Sequence, residues 1–94
     1  MKYQCNINDQ RIIEIPHGSN LFRSLQMNSI PIAYACDGEG ICGKCWVWVE
    51  PQKNTSKEGS LERRVKQANS IPVTARLSCL VRVFGEVKVR APYW

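Results

Sequence analysis

Ala35-Cys36-Asp37-Gly38-Glu39-Gly40-Ile41-Cys42-Gly43-Lys44-Cys45 places three thiols within ten residues, and Cys79 supplies a fourth in a later apolar segment, giving C-x5-C-x2-C…C. Four thiolates are what a [2Fe–2S] core requires. Its known spacing, C-x4-C-x2-C with one distant cysteine, differs from this one by a single loop residue. Gly38, Gly40 and Gly43 lie where the backbone must curl around inorganic sulfide. Glycine permits both the positive φ and the close approach that such a loop needs.

Ligand counting ranks the other metal chemistries. A Rieske centre needs two histidines, and His17 is the only one in the chain. The bacterial [4Fe–4S] run C-x2-C-x2-C-x3-C-P is absent. Structural zinc accepts four cysteines, but it favours two short C-x2–4-C knuckles, whereas Cys79 stands alone. A zinc-stabilised interaction module is therefore the weakest alternative. A secreted disulfide framework is disfavoured by the odd count of 5 cysteines and by a start, Met1-Lys2-Tyr3-Gln4-Cys5-Asn6, without an apolar signal-peptide run. Nothing approaches the roughly 18 apolar residues of a membrane span. A cytoplasmic protein with no membrane insertion is expected.

The 94 residues are expected to form one domain, 1–94. So short a chain buries only about 60–65% of its unfolded surface, so a cofactor tied to four side chains adds stability that the core alone would lack. The apolar period changes along it. Tyr3, Cys5 and Ile7 alternate with polar residues, Asn8-Asp9-Gln10 reads as a turn, and Arg11 to Ile15 is a second strand. After Pro16-His17-Gly18, Ser19 or Asn20 caps a helix carrying Leu21, Phe22, Leu25 and Met27, which ends before Pro31. Trp46 to Val49 leaves the cysteine loop as a strand with two aromatics on one face and two valines on the other. Residues 51–59 read as the longest and most mobile loop. Ser60 then caps a short helix with Leu61 and Val65, and Leu77 to Val83 and Glu86 to Val89 read as strands around Phe84-Gly85. The sum is an α+β arrangement, a mixed sheet of about five strands packed on one main helix plus a short helix.

The C-x5-C-x2-C loop, Arg76-Leu77-Ser78-Cys79 and the ending Val83-Phe84-Gly85-Glu86-Val87-Lys88-Val89 together resemble the [2Fe–2S] ferredoxin family, across essentially the whole chain. The five-residue gap is similar to the adrenodoxin-type branch. Gly40-Ile41-Cys42-Gly43-Lys44-Cys45 with Arg-Leu-Ser-Cys is also similar to the ferredoxin-like domain of corrinoid-protein reductive activators, which usually have a large second domain that these residues lack. The resemblance implies a β-grasp fold and one [2Fe–2S] cluster per chain, held by Cys36, Cys42, Cys45 and Cys79. It implies that Cys36 and Cys42 share the outer, reducible iron and that Cys45 and Cys79 hold the inner one. The implied function is that of a small soluble electron carrier without catalysis of its own, taking one electron at low potential from a reductase to an acceptor enzyme. A redox sensor or a small subunit of a larger oxidoreductase is the alternative.

Charge departs from the family's habit. Relatives are commonly acidic, whereas this chain is formally +5. An oxidised cluster with four thiolates carries about −2, which leaves about +3 for the loaded protein. Arg63, Arg64 and Lys66 gather in the short helix, so redox partners with acidic docking surfaces are expected. The remaining cations are scattered and no nucleic-acid motif accompanies them, so no nucleic-acid partner is expected, and a monomer is. Cys5 reads as a small buried hydrophobe, His17 as a solvated turn residue, and Trp46 with Trp48 as a cover for the sheet or a rim for a partner.

Overall fold

The structure is a computed structural model, and it describes residues 1–33 and 43–94. Tyr34, Cys36, Gly38, Gly40 and Cys42 lie outside the described residues. The opening hairpin joins β1 (Lys2–Ile7) to β2 (Arg11–Pro16) in antiparallel register, Cys5 facing Ile13. Its turn places Asn8 and Asp9 at φ +54° and +58°, a region these two residue types tolerate better than most. The short β3 (Ser19–Asn20) leads into α1 (Leu21–Met27). Beyond the cysteine loop come β4 (Trp46–Glu50), α2 (Ser60–Ala68), β5 (Arg76–Leu77), β6 (Arg82–Val83) and β7 (Val87–Arg90).

Five strands form one mixed sheet in the order β2-β1-β7-β4-β5, while β3 and β6 pair separately. β1 runs parallel to β7, and β4 runs antiparallel to both β7 and β5. Alternation decides which residues go inside. Cys5, Ile7, Ile13, Ile15, Val47, Val49, Val87 and Val89 point from the sheet into the main core, where Leu21 and Leu25 of α1 meet them. A second, smaller core holds Phe22, Cys45, Val65, Leu77 and Cys79. Phe22 is fully buried there, and truncating such a ring to Ala typically costs about 3–5 kcal/mol.

Several expectations change. Met27 is 84% exposed, because a seven-residue helix turns it away from the sheet that buries Leu21, Phe22 and Leu25. The second helix is the longer one at nine residues, and Gly59 rather than Ser60 holds its N-cap position. Its inner face carries Glu62, Val65 and Lys66, so Leu61, 45% exposed, is not a core residue. The expected strand from Leu77 to Val83 is broken by a 3-10 turn at Ser78–Leu80. A straight strand could not bring Cys79 to Cys45 and then carry Arg82 and Val83 across to β3. Residues 51–59 are tied down: Thr55 is buried and bridges to Val83, Ser56 N–H donates to Arg82 O at 2.9 Å, and Phe84 N–H donates to Asn54 O at 2.8 Å.

Candidate metal centre

Cys45 and Cys79 stand 34 residues apart in sequence, and the fold brings their Sγ atoms to 3.1 Å in the interior. That is far beyond the roughly 2.05 Å of a disulfide. Two thiolates on one tetrahedral ion, with bonds of about 2.3 Å, stand somewhat under 4 Å apart, so a small side-chain rotation turns this pair into two ligands of one metal. Cys45 is 1% and Cys79 5% exposed, in an apolar pocket walled by Phe22, Val65 and Leu77. Buried thiols gathered this closely have the donor chemistry of a thiophilic metal or an iron–sulfur cluster. Cys36 and Cys42 are outside the described residues, so two of the four expected ligands are brought together here.

Backbone hydrogen bonds hold the pair in place. Ser78 donates twice to the Cys45 carbonyl, from Oγ at 2.8 Å and from N–H at 3.2 Å, which ties the two cysteine segments directly to each other. Asn20 works in two directions. Its Oδ1 accepts the Arg23 N–H at 3.1 Å as the N-cap of α1, and its Nδ2 donates to the Cys79 carbonyl at 2.7 Å. The cap expected at Ser19 or Asn20 is thus Asn20, and it also secures the Cys79 segment.

A buried ion pair fastens the next layer. Arg76 Nε and Nη2 reach the two Glu62 carboxylate oxygens at 2.6 and 3.0 Å, and Leu77 N–H donates to Glu62 Oε2 at 2.9 Å. Arg76 Nη1 adds Gln52 Oε1 at 2.9 Å and Thr55 Oγ1 at 3.2 Å. One guanidinium therefore links α2, the 51–59 segment and the chain three residues before Cys79. Sequence reasoning missed this pair, although Glu62, Val65 and Lys66 recur at the spacing of an inward helix face.

Gly43 is the one loop glycine that is described, and its role there is steric. It has φ +69°, and a Cβ on it would stand 2.8 Å from Asn69 Nδ2 and 3.3 Å from Val65 Cγ1. The C-terminal end of α2 thus closes directly over the exit of the cysteine loop. Nearby, Tyr93 Oη accepts the Ala33 N–H at 2.7 Å, and Trp94 donates its indole N–H to Pro31 O at 2.6 Å, so the C-terminal tail braces the entrance of the same loop. Burial chiefly raises the Tyr93 hydroxyl above its usual range; the Ala33 bond opposes that shift and the charge of Cys45 adds to it.

Other singled-out residues find their places. Cys5 is fully buried in the main core and burial pushes its thiol up to about 12, so it behaves as a small hydrophobe. His17 is exposed in its turn, where Nδ1 shares a 2.6 Å hydrogen bond with Tyr3 Oη and the ring meets Phe84 edge-on at 5.3 Å. Lys66 is withdrawn from the expected docking surface: it is 4% exposed, pairs with Glu58 and donates to Val73 O at 2.8 Å. Among the described residues, no helix is long and apolar enough to cross a membrane.

Known proteins agree with this geometry. Residues 5–84 match the model of the 2Fe-2S iron-sulfur cluster binding domain. A 2Fe-2S ferredoxin of Rickettsia bellii is 30% identical over 96 residues, covering 96% of this chain and 86% of that one. One component of the Na(+)-translocating NADH-quinone reductase of Haemophilus influenzae is 36% identical over 90 residues, but this chain spans only 21% of its length. The crystal structure of the ISC-like [2Fe-2S] ferredoxin from Pseudomonas putida superposes with a TM-score of 0.80 over 99% of this chain and 93% of that one at 18% identity, which shows the expected β-grasp fold. By the match along nearly its whole length, the chain belongs to the [2Fe–2S] ferredoxin family, whose members bind a [2Fe–2S] cluster.

Proposed function

We propose that this chain carries one electron at a time, at low potential, on a single [2Fe–2S] cluster held by Cys36, Cys42, Cys45 and Cys79, and that residues 1–94 form one domain. The observation that carries this reading is the buried Cys45–Cys79 sulfur pair at 3.1 Å, locked by Ser78 and Asn20 in a chain of this family. When bound, the cluster supplies a one-electron couple, and with four thiolates its potential belongs near about −400 mV. The chain's own residues exclude water from Cys45 and Cys79, fix their backbone, and leave Lys44 exposed beside them. As in its family, the chain carries electrons rather than catalysing a reaction of its own. The carrier exchanges its electron with a reductase and an acceptor through small, brief contacts.

The formal charge of +5 supports partners with acidic docking surfaces, met first by the exposed Arg63 and Arg64. A second reading, a module of a larger oxidoreductase, is supported by the Haemophilus influenzae relative, of which a chain like this forms about a fifth. The ligand assignment is tested by replacing each of the four cysteines with Ala, which supplies no donor atom, and measuring iron and acid-labile sulfide. Two irons and two sulfides per wild-type chain, with loss in each variant, are expected. Full retention in any one variant would remove that cysteine from the set.

A further inference from the structure

Trp46, Trp48 and Arg90 share the outer face of the sheet directly beside Cys45, and we propose that this face is a second docking surface, apart from α2, for a protein redox partner that presents carboxylate side chains. The inference rests on the electron-carrier reading. Val47 and Val49 are buried, so alternation turns Trp46 and Trp48 outward, where both remain partly exposed. Trp46 is bonded to the residue that carries one buried sulfur, and its ring packs against the pocket that holds both. The Trp46 and Trp48 rings meet edge to face at 5.0 Å. Trp48 donates its indole N–H to Thr74 Oγ1 at 3.3 Å, and the Arg90 guanidinium lies 5.0 Å over its ring.

These contacts hold a rigid aromatic ridge and a cation in one place. Among the described residues, no carboxylate pairs with Arg90. Arg90 is exposed and its guanidinium carbon is held over Trp48, a placement that leaves its donors available to take a carboxylate in two bonds. Tryptophan and arginine are also the residue types on which interface energy concentrates. A cleft of about 320 Å³ continues beside them along Asn6, Thr74 and Lys88. Asp9 and Glu50 line it too, and Lys88, 3.9 Å from Asp9 and opposite Glu50 in register, counters them. Long-range attraction comes from the net positive charge, +5 for the chain alone and about +3 once a cluster of about −2 is bound. A partner seated on the ridge meets Trp46, which packs against the pocket that holds both sulfurs. One electron leaves the carrier, a one-electron acceptor in the partner is reduced by it, and no bond or proton changes hands.

Two trianions, one a one-electron oxidant and one redox-inert, serve as probes. In stopped-flow oxidation of the reduced holoprotein by tris(oxalato)cobaltate(III) at low ionic strength, Arg90→Glu is expected to slow the reaction about fivefold and Lys53→Glu, a charge reversal elsewhere, less than about twofold. Trp48→Leu, which changes no charge, is expected to slow it as well. Arg90→Gln repeats the test should Arg90→Glu fail to fold. Tris(oxalato)chromate(III), which only relaxes nearby nuclei, should broaden the Trp48 indole N–H of the oxidised holoprotein at concentrations no higher than those affecting the Arg63 and Arg64 amides. Equal effects of the Arg90 and Lys53 reversals, or broadening confined to α2, would overturn the proposal. Failure of the carrier reading itself would be seen separately, as the absence of one-electron bleaching by dithionite.

Discussion

Glu62 and Arg76 meet as a two-point ion pair in the interior, 2% and 4% exposed, and the same carboxylate accepts the Leu77 N–H at 2.9 Å. A buried pair is held best when its remaining hydrogen-bonding positions are filled, and here Gln52 and Thr55 take the two Nη1 donors of the guanidinium. The arrangement makes the position of the Cys79 segment depend on α2 and on the 51–59 segment together.

Removing one partner leaves an uncompensated buried charge. Glu62→Ala is therefore expected to destabilise the protein by about 3–5 kcal/mol, whereas replacing both residues by apolar ones of similar volume costs far less. Denaturant unfolding of the two variants measures the difference.

Asn20 separates two contributions in one side chain. Asn20→Asp keeps an acceptor for the Arg23 N–H and loses the donor to the Cys79 carbonyl; Asn20→Ala loses both. The Ala variant should lose about 1–2 kcal/mol of stability through the cap and more through the orphaned carbonyl. The Asp variant should keep most of the cap while releasing its cluster faster than wild type, as followed by visible absorbance under chelator.

Cys5 is expected to contribute to the alkaline limb of the stability curve. Its folded pKa of about 12 lies above the ordinary thiol value of 9.0, so the folded state binds the proton more tightly. This contribution is complete below about pH 9 and is lost as pH rises toward 12. Cys5→Val should flatten the fall of stability across that window, measured by denaturant unfolding at a series of pH values.

Arg63 and Arg64 are exposed on α2, whereas Lys66 is buried against Glu58 and the Val73 carbonyl. Reversing Arg63 and Arg64 to Glu should lower the rate with an anionic oxidant and weaken its salt dependence without changing stability. Lys66→Ala should instead cost about 1–3 kcal/mol of stability, because it empties the buried site of the lysine stem and leaves the largely buried Glu58 carboxylate without its partner. Unfolding and stopped-flow measurements on the same variants distinguish the two behaviours.

Much of the fold could be read because burial here follows period. The alternation of Cys5, Ile7, Val47 and Val49, the helical spacing of Leu21, Phe22 and Leu25, and the loop-plus-distant-cysteine pattern each express one local rule. What escaped was non-local. Leu77 to Val83 reads as one strand until the approach of Cys79 to Cys45 demands a turn, and Lys66 reads as a docking cation, with Glu62 passed over, until Arg76, Glu58 and the Val73 carbonyl arrive from elsewhere in the chain. Polar partners that meet only after folding leave little trace in hydrophobic pattern. Of the four cysteines singled out in sequence, the fold brings Cys45 and Cys79 together, while Asn20, Ser78 and Gly43 show their contributions only through contacts with Cys79, Cys45 and Asn69.

The most direct test of a one-electron carrier is an anaerobic dithionite titration of the purified protein, followed by visible absorption and low-temperature EPR. A red-brown chromophore bleached by one electron per chain, with a rhombic S = 1/2 signal, is expected. A colourless protein that binds stoichiometric zinc and cannot be reconstituted with iron and sulfide would overturn the carrier reading.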